Sequence, residues 1–235
     1  MHPLKKFLSA LALGLALGTQ AAAPTPNTLT PEEKAEGWRL LFDGKSTEGW
    51  RSFRGNAFPT LGWAIEDGCI RHLPKGQGGD IITTESYQEF ELRWQWKVAQ
   101  GANSGVKYFI LEERGQAIGH EYQMIDDERH SDAKTGPLHQ TGAFYDVLPP
   151  TQRAMRPAGE WNESRIVVGA TTIEHWLNGK RVLKYKLGSP EVVAGIARSK
   201  FKNVEGFGKS VPGHILLQDH GDEVWFRDIR ILPKK

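Results

Sequence analysis

The chain has 235 residues, with 30 Lys+Arg against 28 Asp+Glu and a formal net charge of +2. So even a balance gives no bulk attraction to polyanions and argues against nucleic acid as a partner. One cysteine, Cys69, excludes an internal disulfide, so the fold must rest on its own apolar core, and the length suffices for one sizeable domain.

The opening MHPLKKFLSALALGLALGTQAAAP carries Lys5 and Lys6, an apolar run over residues 7–17 and the small residues Ala21, Ala22 and Ala23. That is the layout of a secretory signal peptide, and the apolar run is shorter than the roughly 20 residues needed to cross a bilayer. Residues 1–23 are expected to be removed, leaving an exported chain, periplasmic or secreted, with no membrane attachment. Residues 24–37 read as a proline- and threonine-rich linker with one helical turn, Thr30 as its cap and Pro31 at its first position.

From Trp38 to the end the pattern is mostly strand. GWAIEDGCIRH predicts a hairpin turning at Asp67-Gly68. EFELRWQWKV alternates strictly, with Phe90, Leu92, Trp94, Trp96 and Val98 on one face and Glu91, Arg93, Gln95 and Lys97 on the other. GVKYFILE, HEYQMI and NESRIVVG continue the theme, and TIEHWLNGKRVLKY predicts a second hairpin at Asn178-Gly179. SPEVVAGIARSKF breaks the pattern: Ser189 as cap, Pro190 in the first turn and apolar residues at helical spacing predict one short helix. GHILLQ and EVWFRDIRI return to strand. The sum predicts an all-β, two-sheet antiparallel sandwich of jelly-roll type over residues 38–235. Strand order is not contained in this pattern.

Residues two apart on a strand share a face. Glu121 and Gln123 therefore stand together in HEYQMI, and Gln218 and His220 stand together in HILLQDHG, whereas His120, Tyr122 and Met124 point the other way. If the two strands are near each other, these groups converge, with Lys107 adding a cation and Tyr145 a phenol. Such a surface suits sugars, whose hydroxyls pair with carboxylates and amides. Asp126, Asp127 and His130 follow in a loop at its rim, where sugar contact, a divalent metal (with His139 as a further ligand) and simple solvation are all open. The spacing excludes an EF-hand loop, an HExxH zinc site, a GxSxG nucleophile elbow and a Walker loop. No cofactor is firmly implied.

WRLLFDGKSTEGW, NSGVKYF, EYQMIDDERHSDA, GEWNESRIV, EHWLNG and the closing LLQDHGDEVWFRDIRI resemble, in this order, the 3-keto-disaccharide hydrolase domain family, which was long a domain of unknown function. One departure is Asp228, where the family more often has Asn. The resemblance implies a concanavalin A-like jelly roll in an exported protein acting on glycosides whose sugar is oxidised to a ketone at C3. A ketone there acidifies the C2 hydrogen, so a base can form an enolate that expels the C1 substituent, with hydration completing a net hydrolysis. That chemistry needs a base, an acid and an oxyanion holder. Glu121 or His220 is expected as base, with Tyr145 or the other of that pair as acid. Lys107, Gln123 or a bound cation would serve the oxyanion, and Asp126, His130 and Gln218 the substrate. Two competing readings remain: a non-catalytic carbohydrate-binding module using the eight tryptophans as a platform, and a metal-requiring sugar enzyme with Asp126, Asp127 and His130 as ligands.

Overall fold

The computed structural model describes residues 25–234; the expected signal peptide lies outside them. The elements are α1 (Pro31–Glu36), β1 (Arg39–Leu40), β2 (Trp50–Ser52), β3 (Trp63–Glu66), β4 (Cys69–His72), β5 (Ile81–Thr83), β6 (Phe90–Val98), β7 (Asn103–Ile110), β8 (His120–Ile125), β9 (Asn162–Val168), β10 (Thr172–Leu177), β11 (Lys180–Lys186), α2 (Pro190–Arg198), β12 (His214–Leu217) and β13 (Val224–Pro233). They form two antiparallel sheets, one ordered β11-β10-β9-β6-β13-β4-β3 with β1 added on β13, the other β2-β5-β12-β7-β8. Both expected hairpins form, and Asp67, Gly68, Asn178 and Gly179 all have the positive φ that a type I′ turn requires. The helix after Ser189 also forms, its hydroxyl accepting from the Val192 N–H.

The core lies between the sheets. Every inward residue of β6 is 0–1 % exposed, and Trp94 meets Tyr122 of the opposite sheet edge to face at 5.0 Å. Burying each such aromatic side chain contributes about 2–3 kcal/mol of transfer free energy. Of the eight tryptophans, Trp38, Trp50, Trp63, Trp94 and Trp96 are buried. The half-buried remainder carry cations on their rings: Arg227 sits over Trp161 at 3.8 Å, Arg165 over Trp176 at 5.2 Å and Lys97 over Trp225 at 4.3 Å.

Polar groups also cross the core. The Gly142 carbonyl, His175, the Tyr108 and Tyr185 hydroxyls and His120 form one chain with links of 2.9, 3.0, 2.8 and 2.9 Å. Burial pushes His120 down to about 3, with the charges of His175 and Arg114 adding to it, and pushes His175 down to about 4. The unfolded chain binds these protons near its ordinary value of 6.5, whereas the native state refuses them. Their stabilisation is therefore complete above pH 6.5 and is lost as pH falls; His175 alone forfeits about 3 kcal/mol by pH 4. Melting curves should show the loss beginning between pH 6.5 and 5, above the carboxylate range. A flat melting temperature across that window would refute it.

Two bulges shape the sheets. In β7, the three residues His214 to Leu216 of β12 face the four residues Lys107 to Ile110, and Phe109 takes φ +61°. Tyr108 and Phe109 consequently both enter the core, while Ile110 rejoins Ile82 and Leu216 in a small separate apolar cluster. In β13, the bulge between Arg227 and Arg230 puts Asp228 at φ +54° with its N–H off the ladder. Asn27 takes that N–H at 2.6 Å and returns its own to the Asp228 carboxylate at 2.8 Å, while Arg230 joins Asp228 to Glu33 of α1. The expected helical turn forms with Thr30 as its cap and Pro31 at its start, and residues 27–36 are stapled to the sandwich by these contacts.

Candidate active site

A cleft of ≈ 410 Å³ opens on the outer face of the five-stranded sheet. Strand alternation places its floor: Lys107 pairs with Glu121 and Gly105 with Gln123 across β7 and β8, and the Gln218 N–H reaches the Gly105 carbonyl from the other side at 3.0 Å. A Cβ at Gly105 would come within 2.9 Å of Glu121 Oε1 and 3.3 Å of Gln218 Oε1, so bare backbone there lets the two side chains converge. The period-two expectation is met in detail: Glu121 and Gln123 face the cleft, while His120, Tyr122 and Met124 belong to the core side.

Lys107 Nζ lies 3.7 Å from Glu121 Oε2, with the two side chains 12 % and 6 % exposed. Asn103 and Gln218 line the cleft, and Asn103 Oδ1 and Gln218 Oε1 are buried without a hydrogen-bond partner. Buried unpaired acceptors are rare in native proteins. Asp80 lies within electrostatic reach of Lys107 and Glu121. Burial raises its pKa against the opposing pull of Lys107, and its carboxylate accepts from the Asp219 N–H at 2.9 Å. His220 reaches the rim, its Nδ1 3.6 Å from Asp222 Oδ2, an oxygen that the Asn103 N–H also holds at 2.9 Å. Tyr145 and Lys200 also line the cleft. Asn103, Asp80, Asp222 and Lys200 were not singled out from sequence: Asp80, Asp222 and Lys200 lie in loops, and only the asparagine, which opens β7, had a parity signal, sharing a face with Gly105 and Lys107.

The rim loop differs from expectation. Asp126 is 2 % exposed, and its oxygens accept from the Gly101, Glu128 and Arg129 N–H groups at 2.8, 3.1 and 3.2 Å. Burial raises its pKa, but these bonds outweigh it and leave it lowered. Asp127 accepts from the Thr141 N–H at 2.8 Å, and burial raises its pKa. Both line a separate cavity, so neither is placed to touch a sugar or an ion in the cleft; their job is to cap a tight loop. His139 belongs to a third group, with Asp132 and Asp146. The expected metal set is therefore dispersed.

Among the described residues the side chains that could share an ion are instead His130, His220 and Asp222, with ligand atoms within 4.8 Å of one another. The hydrogen bonding of His130 does not fit that use. Its Nδ1 accepts the Asp132 N–H at 3.0 Å, which leaves the proton of a neutral ring on Nε2 and no free lone pair. Metal-bound histidines show the reverse, donating from their second nitrogen. The His130 ring lies 5.8 Å from that of His220, but His130 is not among the residues that line the cleft.

A jelly-roll sandwich whose five-stranded sheet presents a lysine–carboxylate pair, amides and a histidine has the build of a glycoside-hydrolase scaffold. Comparison with known proteins makes that particular. Residues 37–232 match the 3-keto-alpha-glucoside-1,2-lyase-like domain, and the chain belongs to that family. It is 35 % identical over 228 residues to a 3-keto-disaccharide hydrolase of Bacteroides thetaiotaomicron, covering 84 % of this chain and 78 % of that protein. A Parabacteroides distasonis protein proposed to be a glycosyl hydrolase superposes with a TM-score of 0.81 at 34 % identity, over 90 % of this chain and all of its own. A second from the same organism gives 0.67 at 28 % identity, over 84 % and 99 %.

Proposed function

We propose that the cleft cleaves the glycosidic bond of 3-keto-glycosides by elimination followed by hydration. One observation carries this reading: a carboxylate and an ammonium group held 3.7 Å apart on neighbouring strands, nearly buried. The C2 hydrogen and the C3 ketone oxygen of such a sugar are on adjacent carbons, so a base and an oxyanion holder for them must also be neighbours. Glu121 removes the C2 proton, and the electron pair moves to the ketone oxygen as an enolate beside Lys107. The enolate reforms the ketone and a C1=C2 double bond, breaking the C1–O bond. His220, oriented by Asp222, supplies the proton to the departing oxygen. Water then adds hydroxyl at C1 and hydrogen at C2.

Asn103, Gln123 and Gln218 hold the sugar hydroxyls. The carbohydrate-binding-module reading is disfavoured because the rings such a module needs are in the core or covered by cations, and no tryptophan lines the cleft. Export remains part of the proposal on the strength of the N-terminal pattern alone.

The test is mass spectrometry of the product from a 3-keto-glucoside in deuterated water, corrected for spontaneous exchange. The elimination route should place one deuterium at C2. A cleaved product without it would reject the route, and substrate left intact after long incubation would favour a binding module.

A further inference from the structure

The wall next to Glu121, whose carbonyl accepts the Tyr145 N–H at 3.1 Å, is built from a closed circuit of groups. Tyr145 donates its hydroxyl proton to Asp132 Oδ2 at 3.0 Å. The other oxygen of Asp132 meets His139 Nδ1 at 2.6 Å, and His139 Nε2 faces Asp146 Oδ1 at 3.3 Å. Asp146 Oδ2 accepts the Lys200 N–H at 2.7 Å, and the Lys200 ammonium lies over the Tyr145 ring at 4.3 Å. Thr135 adds a bond to His139 at 3.1 Å and one to the Asp132 carbonyl at 2.6 Å. Three chain segments are thereby tied around one phenol. Of the circuit, only Tyr145 and Lys200 line the cleft.

The direction of the first bond decides what Tyr145 can do. Asp132 is held ionised: burial would raise its pKa, but the hydrogen bonds from His139 and Tyr145 leave it lowered. An ionised carboxylate only accepts, so the Tyr145 proton points at it and the oxygen lone pairs are what remain for a ligand. Burial first, then the hydrogen bond to Asp132 and its charge, also raises the Tyr145 hydroxyl pKa well above its ordinary range, which removes it as a ready acid.

We propose that Asp132, His139 and Asp146 are positioning residues that present Tyr145 as a fixed hydrogen-bond acceptor, so that Tyr145 determines specificity by reading one donor hydroxyl of the bound sugar. This rests on the cleft being the sugar site. It assigns Tyr145 a different task from the acid role that its position in the sequence suggested.

The test couples protein and ligand changes. Affinity, by titration calorimetry, and kcat/KM are measured for wild type, Tyr145→Phe and Asp132→Ala, each with a 3-keto-glucoside and with its 4-deoxy and 6-deoxy analogues. Tyr145→Phe should weaken binding of the parent about tenfold and leave one deoxy analogue unaffected; Asp132→Ala should reproduce that pattern on the same analogue, with the effect in KM more than in kcat. Equal losses on every analogue, or an Asp132→Ala protein that is folded and indistinguishable from wild type, would overturn the assignment. Wild type that binds the sugars with this coupling but cleaves none of them would sink the hydrolase reading and leave the Tyr145 inference standing. Wild type that binds none of them would overturn both.

Discussion

Replacing Glu121 with glutamine is expected to lower kcat on a 3-keto-glucoside by about 10²–10⁴-fold, the usual yield of a positioned general base, with KM little changed. The substitution keeps the size and most of the hydrogen bonding of the side chain, so it isolates the lost proton acceptor. Lys107→Met should cost about 10²–10³-fold, the range for removing one oxyanion donor. The two residues serve the same enolate from 3.7 Å apart, so their effects should fall well short of multiplying in the double variant. Steady-state kinetics on the purified, folded variants decides this. Wild-type turnover by Glu121→Gln would end the assignment of Glu121 as base and return His220 to that place.

The second large effect is structural. Gly119→Ala would put a Cβ 2.2 Å from the Tyr108 carbonyl oxygen and 2.9 Å from Ile110 Cδ1. The obstacle is mainly backbone, so it cannot rotate away, and β8 must shift from β7 where their pairing begins. The expected cost is about 3 kcal/mol or more, a fall of roughly 6–12 °C in melting temperature for a chain of this size. Because Gly119 borders the cleft two residues before Glu121, the shift should also raise KM. Gly169→Ala is the control: its Cβ would meet nothing nearer than the Thr172 carbonyl at 3.6 Å. Calorimetry should leave that variant close to wild type, and two equal melting temperatures would show that the close approach at Gly119 is not a constraint.

The outline of the fold could be read locally because its signals are local. Ten residues of alternation defined β6, and Asp-Gly and Asn-Gly pairs defined two turns. The same alternation divided HEYQMI into a cleft side and a core side, which is why Glu121 and Gln123 were separated from His120 by parity alone. What stayed hidden depends on strand order. Lys107 and Gln218 meet Glu121 only because β7 lies between β8 and β12, and no spacing along the chain encodes that neighbourhood. Asp126 and Asp127 were misread for a related reason: an acidic pair in a polar stretch suggests exposure, whereas buried backbone N–H groups had already claimed both carboxylates. The Asp132–His139–Asp146 circuit is assembled from loop residues whose partners are chosen by the path of the chain, so it left no periodic trace.

The bulge in β7 sets a limit of its own. Up to Lys107 the outward residues of the strand are polar or bare; beyond Phe109 the outward position passes to Ile110, in contact with Ile82 and Leu216. The stretch of strand able to grip hydroxyls, from Asn103 to Lys107, is therefore only about 13 Å long. On the proposed reading of the cleft, the extra residue would work as an end stop on a ruler, setting the reacting edge of the sugar beside Lys107 and Glu121. A relative that accepts a longer chain along this strand would need its bulge moved, because adding polar residues past it would turn them into the wrong layer.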